Sequence, residues 1–299
     1  MKTILLTGGA GFIGGHLLKV LKSHPEYRLF NIVLLSSENI GDDKTVLHKK
    51  YTFTKDDFLS NGLSDIDIVI HAGAYTPKDS ANANLIAETL SNITSIYHLI
   101  NNLPNIPEKF IFLSTIDVYT QDSANPIVEE TYTDPISLYG WSKLYGEKIL
   151  ENWARVKNVT LQVLRIGHIY GSGEEKYKKL IPATIKKALS GESPIIYSHG
   201  NELRSYLHIS DCVEAILASF KLNEYPGPIN IVSQIALPVK TVVEVITKIA
   251  NPTLSLKILA KDTPVKDLVF DNSKMQKYLS KEKITFEEGI MEEVNNFKV

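Results

Sequence analysis

The sequence predicts an α/β protein, a doubly wound parallel sheet joined to a smaller C-terminal α+β lobe. Three observations carry this. Short apolar runs alternate with longer amphipathic ones through the first half of the chain, a glycine-rich segment directly follows the first apolar run, and the rhythm loosens after about Gly167. Strands that read as near-continuous apolar runs are buried on both faces, as in parallel sheets, and regular alternation of strand with helix supplies the crossovers such sheets need.

Thr3–Thr7 reads as the first strand and Phe12–Ser23 as the first helix. Phe30–Leu35 is a second strand, and Ile66–Ile70, rich in β-branched residues, is another that runs into His71. Residues 83–103 have helical spacing and stop before Pro104. Phe110–Ser114 is a strand, Leu138–Val156 a helix and Thr160–Arg165 a strand. Beyond Gly167, Leu180–Leu189, Ser210–Leu222 and Val239–Ala250 read as helices, with short strands at Ile195–Tyr197 and Ile229–Val232. Prolines and glycines cluster at 191–194 and 226–228. The division expected is 1–167 for the main domain and 168–299 for the lobe, with segments such as 210–222 returning to the main sheet.

The chain has 299 residues, 43% hydrophobic and 22% charged, with a formal net charge of −2. That is an ordinary globular composition with no strong field of either sign, so neither nucleic acid nor a membrane surface is expected as a partner. No apolar run approaches the ~20 residues of a membrane span. The short apolar stretch Ile4-Leu5-Leu6 runs straight into glycines, unlike a signal peptide. Cys212 is the one cysteine, which fits a reducing cytoplasm, and its apolar neighbours read it as a packed helix residue. No metal site is expected. Lys176, Lys178, Lys179, Lys186 and Lys187 form a mild basic cluster, read as a solvated helix face.

The segment Thr7-Gly8-Gly9-Ala10-Gly11-Phe12-Ile13-Gly14 stands between the first strand and the first helix. Glycine is required where the chain turns tightly and where backbone must approach a pyrophosphate, and the helix N-terminus offers it free N–H groups. The second strand of such folds ends in an acidic residue for the adenine ribose. Here that position is Ser36, followed by Ser37 and Glu38. Loss of the carboxylate no longer repels a 2′-phosphate, no Lys or Arg stands beside it to attract one, and Glu38 could take the ribose, so NAD and NADP both stay open.

Tyr139 and Lys143 are four residues apart on one helix face. A free phenol, with a pKa near ~10, is too weak an acid for proton transfer at neutral pH, and a nearby ammonium should lower it. Phe110–Ser114 is followed by Thr115, at the carboxyl end of a strand where ligands bind in such sheets, so the Thr115 hydroxyl can bond the reacting oxygen.

Together these segments closely resemble the extended short-chain dehydrogenase/reductase family, in its sugar-nucleotide epimerase/dehydratase type, with UDP-glucose 4-epimerase-like proteins as its pattern. The resemblance rests on the glycine turn, on Ser114-Thr115-Ile116-Asp117-Val118-Tyr119, on Glu129-Glu130, Pro135 and Tyr139-Gly140-Trp141-Ser142-Lys143, on 164–171, on 204–211 and on Gly227-Pro228-Ile229-Asn230-Ile231. It implies a Rossmann domain for NAD or NADP, a nucleotide-diphosphate sugar as substrate, and a catalytic trio of Thr115, Tyr139 and Lys143. It also implies that Gly8, Gly11, Phe12, Ile13 and Gly14 hold the pyrophosphate and that Ser36 and Asp56 lie toward the adenosine. Ala72, Gly73 and Ala74 would pass under the cofactor, with Asn92 tethering that loop. Arg204 would bind the substrate diphosphate, unless it pairs structurally with Asp211. His168 stands at a substrate-contacting position where relatives carry asparagine, Thr120 replaces a glycine, and His208 is read as a packed residue.

Three reactions share this trio. The order expected is 4-epimerase, then 4-ketoreductase, then 4,6-dehydratase, because Ile116 removes one acid and Asp117 is short. A non-catalytic NAD(P)-binding sensor or scaffold is the reading of a different class, and it predicts a broken trio. Relatives pair through two helices, here 83–103 and 138–156, whose outer faces read as polar (Asn84, Glu88, Asn92, Ser95, Lys148, Asn152), so a homodimer is an open expectation.

Overall fold

The computed structural model describes residues 1–37, 45–47, 53–120, 124–175, 177–259 and 265–298. The chain runs β1 (Thr3–Thr7), α1 (Phe12–Ser23), β2 (Asn31–Ser36), β3 (Thr45–Leu47), α2 (Lys55–Leu59), β4 (Ile68–His71), α3 (Ile86–Asn102), β5 (Lys109–Thr115), α4 (Leu138–Lys157), β6 (Thr160–Ile166) and β7 (His168–Tyr170). Then follow α5 (Leu180–Leu189), β8 (Ile195–Ile196), β9 (Leu203–His208), α6 (Ile209–Ala218), β10 (Ile229–Ile231), β11 (Ala236–Pro238), α7 (Val239–Ala250), β12 (Lys257–Ile258), α8 (Ser273–Tyr278) and α9 (Phe286–Phe297).

Seven strands form one parallel sheet in the order β10-β6-β5-β4-β1-β2-β3. Chain order reverses between β1 and β4, and the crevice beyond the carboxyl ends of those two strands is the switch point where ligands bind in such sheets. The strand pleat explains the apolar runs. Ile4 and Leu6 face one side with Ile32, Leu34, Ile70 and Ile111, under α1 and α6. Leu5 faces the other with Val33, Leu35, Val69, Phe110 and Phe112, under α3 and α4. Each such side chain contributes roughly 1.5–3 kcal/mol by leaving water.

The segment expected as Ser210–Leu222 begins one residue earlier, as α6, and packs on α1 through Cys212, Val213 and Ile216, while β10 completes the main sheet. The rest of the C-terminal half builds a second core. Here α5, α7 and α9 close over Tyr170, Ile185, Val242, Ile246 and Ile290, beside a small sheet of β11, β9 and β7.

α4 carries its own start and stop. The Ser137 hydroxyl caps the N-terminus by accepting from Gly140 N at 3.1 Å, and Asn158 ends the helix in the left-handed conformation (φ +56°).

Candidate active site

The glycine turn locks two strand ends together. Gly8 has φ +74°, and a Cβ there would lie 2.5 Å from Gly73 N and 2.7 Å from Ala72 O. Gly14 presses on the same turn, since its Cβ would fall 2.0 Å from Gly8 O. The Thr7 hydroxyl accepts from Gly73 N at 2.9 Å and lies 2.8 Å from His71 Nδ1. His71 is buried and neutral. Burial first, and the Lys143 charge second, hold its imidazole down at about 3.

α1 opens at Gly11 with no side-chain cap and no acidic residue in its first turn, unlike α2 and α9, which both carry capping boxes. An uncapped N-terminus above a turn of small residues fits an anionic pyrophosphate. Phe12, Ile13 and Gly14 form that first turn, and Ala72, Gly73 and Ala74 follow β4 beside it. Ser36 is the last residue of β2, next to β1, and Asp56 is exposed in the first turn of α2. Glu38 lies outside the described residues.

Asn92, buried on α3, holds the next stretch of loop. Its Oδ1 accepts from Tyr75 N at 2.7 Å, and its Nδ2 donates to Tyr75 O at 3.2 Å and to Ser142 Oγ at 3.1 Å. One side chain therefore ties the loop after β4 to the helix bearing Tyr139.

Tyr139 is 7% exposed, and the hydroxyls of Thr115 and Thr76 stand beside its phenol. Burial, then the nearby Asp117 charge, push it well above the ordinary phenol range, and the two hydroxyls pull it back. The net shift is upward, against the lowering by Lys143 that the spacing suggested. Instead, Lys143 Nζ donates to Leu113 O at 2.7 Å and lies 4.9 Å from the Phe112 ring centroid. Burial lowers its ammonium to about 8, against the opposing field of Glu147.

Asp117 stands in the turn after β5. Its own N–H donates to Thr115 Oγ1 at 3.2 Å. α4 comes down directly on that turn, because a Cβ on Gly140 would lie 2.4 Å from Asp117 O. Asp117 keeps an exposed surface, yet crowding by the surrounding protein raises its carboxyl, against the Thr115 hydroxyl and the Lys179 charge.

On the lobe side, His168 opens β7 and tilts against Tyr206 at 5.8 Å between ring centroids. Burial and the charges of Lys179 and Arg204 hold its imidazole at about 4, so it is neutral. Arg204 on β9 reaches neither Asp211 nor another carboxylate among the described residues. Its Nη1 donates to Lys266 O at 2.6 Å and Leu203 O at 2.8 Å, while Asp211 accepts from the backbone of Lys283 and Ile284. His208 packs edge-on against Tyr170 at 5.3 Å and caps α6.

Sequence reasoning left Lys179 on a solvated face, yet its charge reaches Asp117 and His168. It also missed Thr76, which arrives from a loop with no periodic signal. Lys176 lies outside the described residues.

These strand ends set an uncapped glycine turn against a buried Tyr–Lys–Thr group, and the chain's relatives agree with that setting. A sequence profile described as the NAD dependent epimerase/dehydratase family matches residues 4–231. The dTDP-D-glucose 4,6-dehydratase of Dictyostelium discoideum is 30% identical over 255 residues, 77% of this chain. The match spans 58% of that relative's length, less than two thirds of it. UDP-glucose 4-epimerase from Thermotoga maritima, solved with UDP-glucose, superposes with a TM-score of 0.82 at 22% identity, over 99% of this chain and 98% of that one. RMD from Pseudomonas aeruginosa, complexed with NADPH, gives 0.82 at 20% identity, over 100% and 99%. At such identities the two structures speak for the fold, a Rossmann-type α/β sheet. The profile runs from the first strand to the last strand of the main sheet, and on that match the chain belongs to the NAD dependent epimerase/dehydratase family, a family of enzymes.

Proposed function

We propose that the protein interconverts nucleotide-linked sugars by 4-epimerisation through a transient 4-keto sugar. The observation that carries the reading is the buried Tyr139 phenol beside the Thr115 hydroxyl at the carboxyl end of β5, on the helix that also bears the buried Lys143. The residues present fit a nicotinamide dinucleotide. Gly8, Gly11, Phe12, Ile13 and Gly14 would hold its pyrophosphate, Ala72, Gly73 and Ala74 would pass beneath it, and Ser36 and Asp56 would lie toward its adenosine. When bound, that cofactor supplies reversible hydride transfer at C4. Tyr139 takes the proton of the C4 hydroxyl and returns it, Thr115 orients that oxygen, and Lys143 offsets the charge that develops on the phenol. His168 and Arg204 would face the nucleotide and diphosphate, with 168–299 as the main substrate lobe. Ser36, in place of a carboxylate, leaves both NAD and NADP admissible.

A second reading, 4,6-dehydratase, draws on Asp117, whose raised carboxyl beside Thr115 and Tyr139 is placed to give up a proton. Ile116, buried among apolar neighbours, offers no acid.

A homodimer through α3 and α4 belongs to the same proposal. Of the residues expected on the polar faces, Asn84, Glu88, Lys148 and Asn152 are exposed, but Asn92 and Ser95 turn inward. Ile86, Leu90 and Tyr97 of α3 and Trp141 and Tyr145 of α4 are also exposed, an apolar surface that suits a second copy of the same helices. No helix among the described residues is long and apolar enough to cross a membrane. The buried, unpaired Cys212 supports a reducing cytoplasm.

The test is to denature purified protein, identify any released nucleotide by mass spectrometry, and assay UDP- and dTDP-sugars with no cofactor added. Retained NAD(H) or NADP(H) with turnover is expected. An empty protein that consumes stoichiometric NADPH on 4-keto sugars would make it a ketoreductase, and a 6-deoxy-4-keto product would make it a dehydratase.

A further inference from the structure

Behind Tyr139 and Lys143 lies a closed set of polar contacts. Successive residues of β5 meet α4. The Phe112 ring lies 4.9 Å from Lys143 Nζ, the Leu113 carbonyl accepts from that nitrogen, the Ser114 hydroxyl donates to Glu147 Oε1 at 2.5 Å, and the Thr115 hydroxyl stands beside the Tyr139 phenol. Glu147 is fully buried, one turn beyond Lys143. Arg165 of β6 grips its carboxylate with a fork, Nε to Oε1 at 3.1 Å and Nη2 to Oε2 at 2.9 Å. Arg165 Nη1 donates onward to the Tyr119 hydroxyl at 2.9 Å and to Glu129 O at 3.2 Å, and Tyr119 donates to Asn230 Oδ1 at 2.6 Å.

A buried ion pair is poor evidence for stability alone, since apolar residues of equal volume often serve as well. Its place in the site gives it another use. We propose that Glu147 is a positioning residue, which keeps Lys143 charged and, through Ser114, fixes Thr115 opposite Tyr139. The inference rests on the reaction proposed above.

Burial discharges a lysine, and Glu147 is the group that opposes this at Lys143. The titratable side chains around Lys143 are Tyr139 and Glu147 from α4 and His71 from β4, with Arg165 of β6 behind the Glu147 carboxylate. His71 is neutral, so the carboxylate supplies the anionic field. Arg165 pairs both oxygens of that carboxylate.

The experiment is the pH profile of nucleotide-sugar turnover by the native enzyme, by Glu147→Gln, and by the double variant Glu147→Gln/Arg165→Met, which removes both buried charges together and spares the fold an unpaired guanidinium. Native activity should fall above about 8, where Lys143 loses its proton. In both variants that alkaline limb should move down by about one pH unit or more, a roughly tenfold loss on the alkaline side. The loss should be regained at lower pH with KM little changed, and Glu147→Asp should restore part of it. A uniform loss at every pH, or a double variant whose limb stays at the native position, overturns the proposal. If the native protein turns over no nucleotide sugar, the reaction reading fails instead. Glu147 is then judged by the Lys143 titration in lysine-labelled protein followed by NMR, with the signal assigned by Lys143→Arg, and equal midpoints in native and double variant overturn it.

Discussion

Tyr139 and Lys143 share one buried wall, and burial acts on them in opposite senses, raising the phenol and lowering the ammonium. At neutral pH both therefore carry their protons, which suits Tyr139 to donate in the reductive direction, with the neighbouring hydroxyls of Thr115 and Thr76 easing proton removal in the other. Tyr139→Phe should lower kcat by about 10²–10⁴-fold while leaving nucleotide retention and Tm near native values. Turnover within a few-fold of native would remove Tyr139 from the chemistry. This trio was legible because two of its members lie four apart on a helix and the third ends an apolar strand. Glu147 was missed, although it stands one turn past the lysine, and nothing in the sequence marked Arg165 as its partner, which comes from the neighbouring strand. Lys179 and Thr76 carry no periodic signal at all, because loop side chains are aimed by tertiary packing.

Among the elements, the helices of ten or more residues were read to within a few residues, except α9, which was not read at all. Leu180–Leu189 and Val239–Ala250 match their helices to the residue, since their apolar faces recur at helical spacing. Two- and three-residue strands such as β3, β7 and β11 were missed, because they are made by pairing with neighbours and not by a run of their own. Helix phase was the other weakness. Polar Asn92 and Ser95 sit inside α3 because Asn92 is consumed by Tyr75 and Ser142 and the Ser95 hydroxyl donates to Asn92 O. Two predictions belong at this scale. Gly14→Ala drives a methyl group into Gly8 O, so the protein should emerge without nucleotide and with a lowered Tm, and native retention of nucleotide would show that the turn can open. Trp141→Glu places a charge in the exposed apolar surface of α3 and α4, and sedimentation should find a dimer in the native protein and a monomer in the variant. The same assembly in both would put any interface elsewhere.

Across the whole molecule, the main sheet and the lobe meet where β7, the loop after it and α9 converge. Glu293 of α9 is buried there with neither oxygen hydrogen-bonded. Burial first, with the Glu174 and Glu175 charges adding to it, raises its carboxyl to about 8. A carboxyl held above its unfolded value of 4.5 binds more protons folded than unfolded, so the stability it allows is present at low pH and is lost as pH climbs through about 8. Glu293→Gln removes that titration at nearly constant volume. Its Tm should match the native protein near pH 5 and exceed it near pH 8, where its gain in unfolding free energy is on the order of a few kcal/mol, and equal thermal curves at both pH values would contradict the assignment. The doubly wound sheet was readable at this scale because its strands are apolar on both faces, whereas the packing of α9 against Tyr170 and β9 was not, because contacts between segments so far apart in the chain leave no local pattern. The central claim, reversible oxidation at C4 within one enzyme, is tested most directly with a nucleotide sugar deuterated at C4 and no cofactor added. The account predicts product of inverted configuration that keeps its deuterium, formed by the native protein and not by Tyr139→Phe. Product that has lost the label to solvent, or none without stoichiometric reduced cofactor, would contradict it.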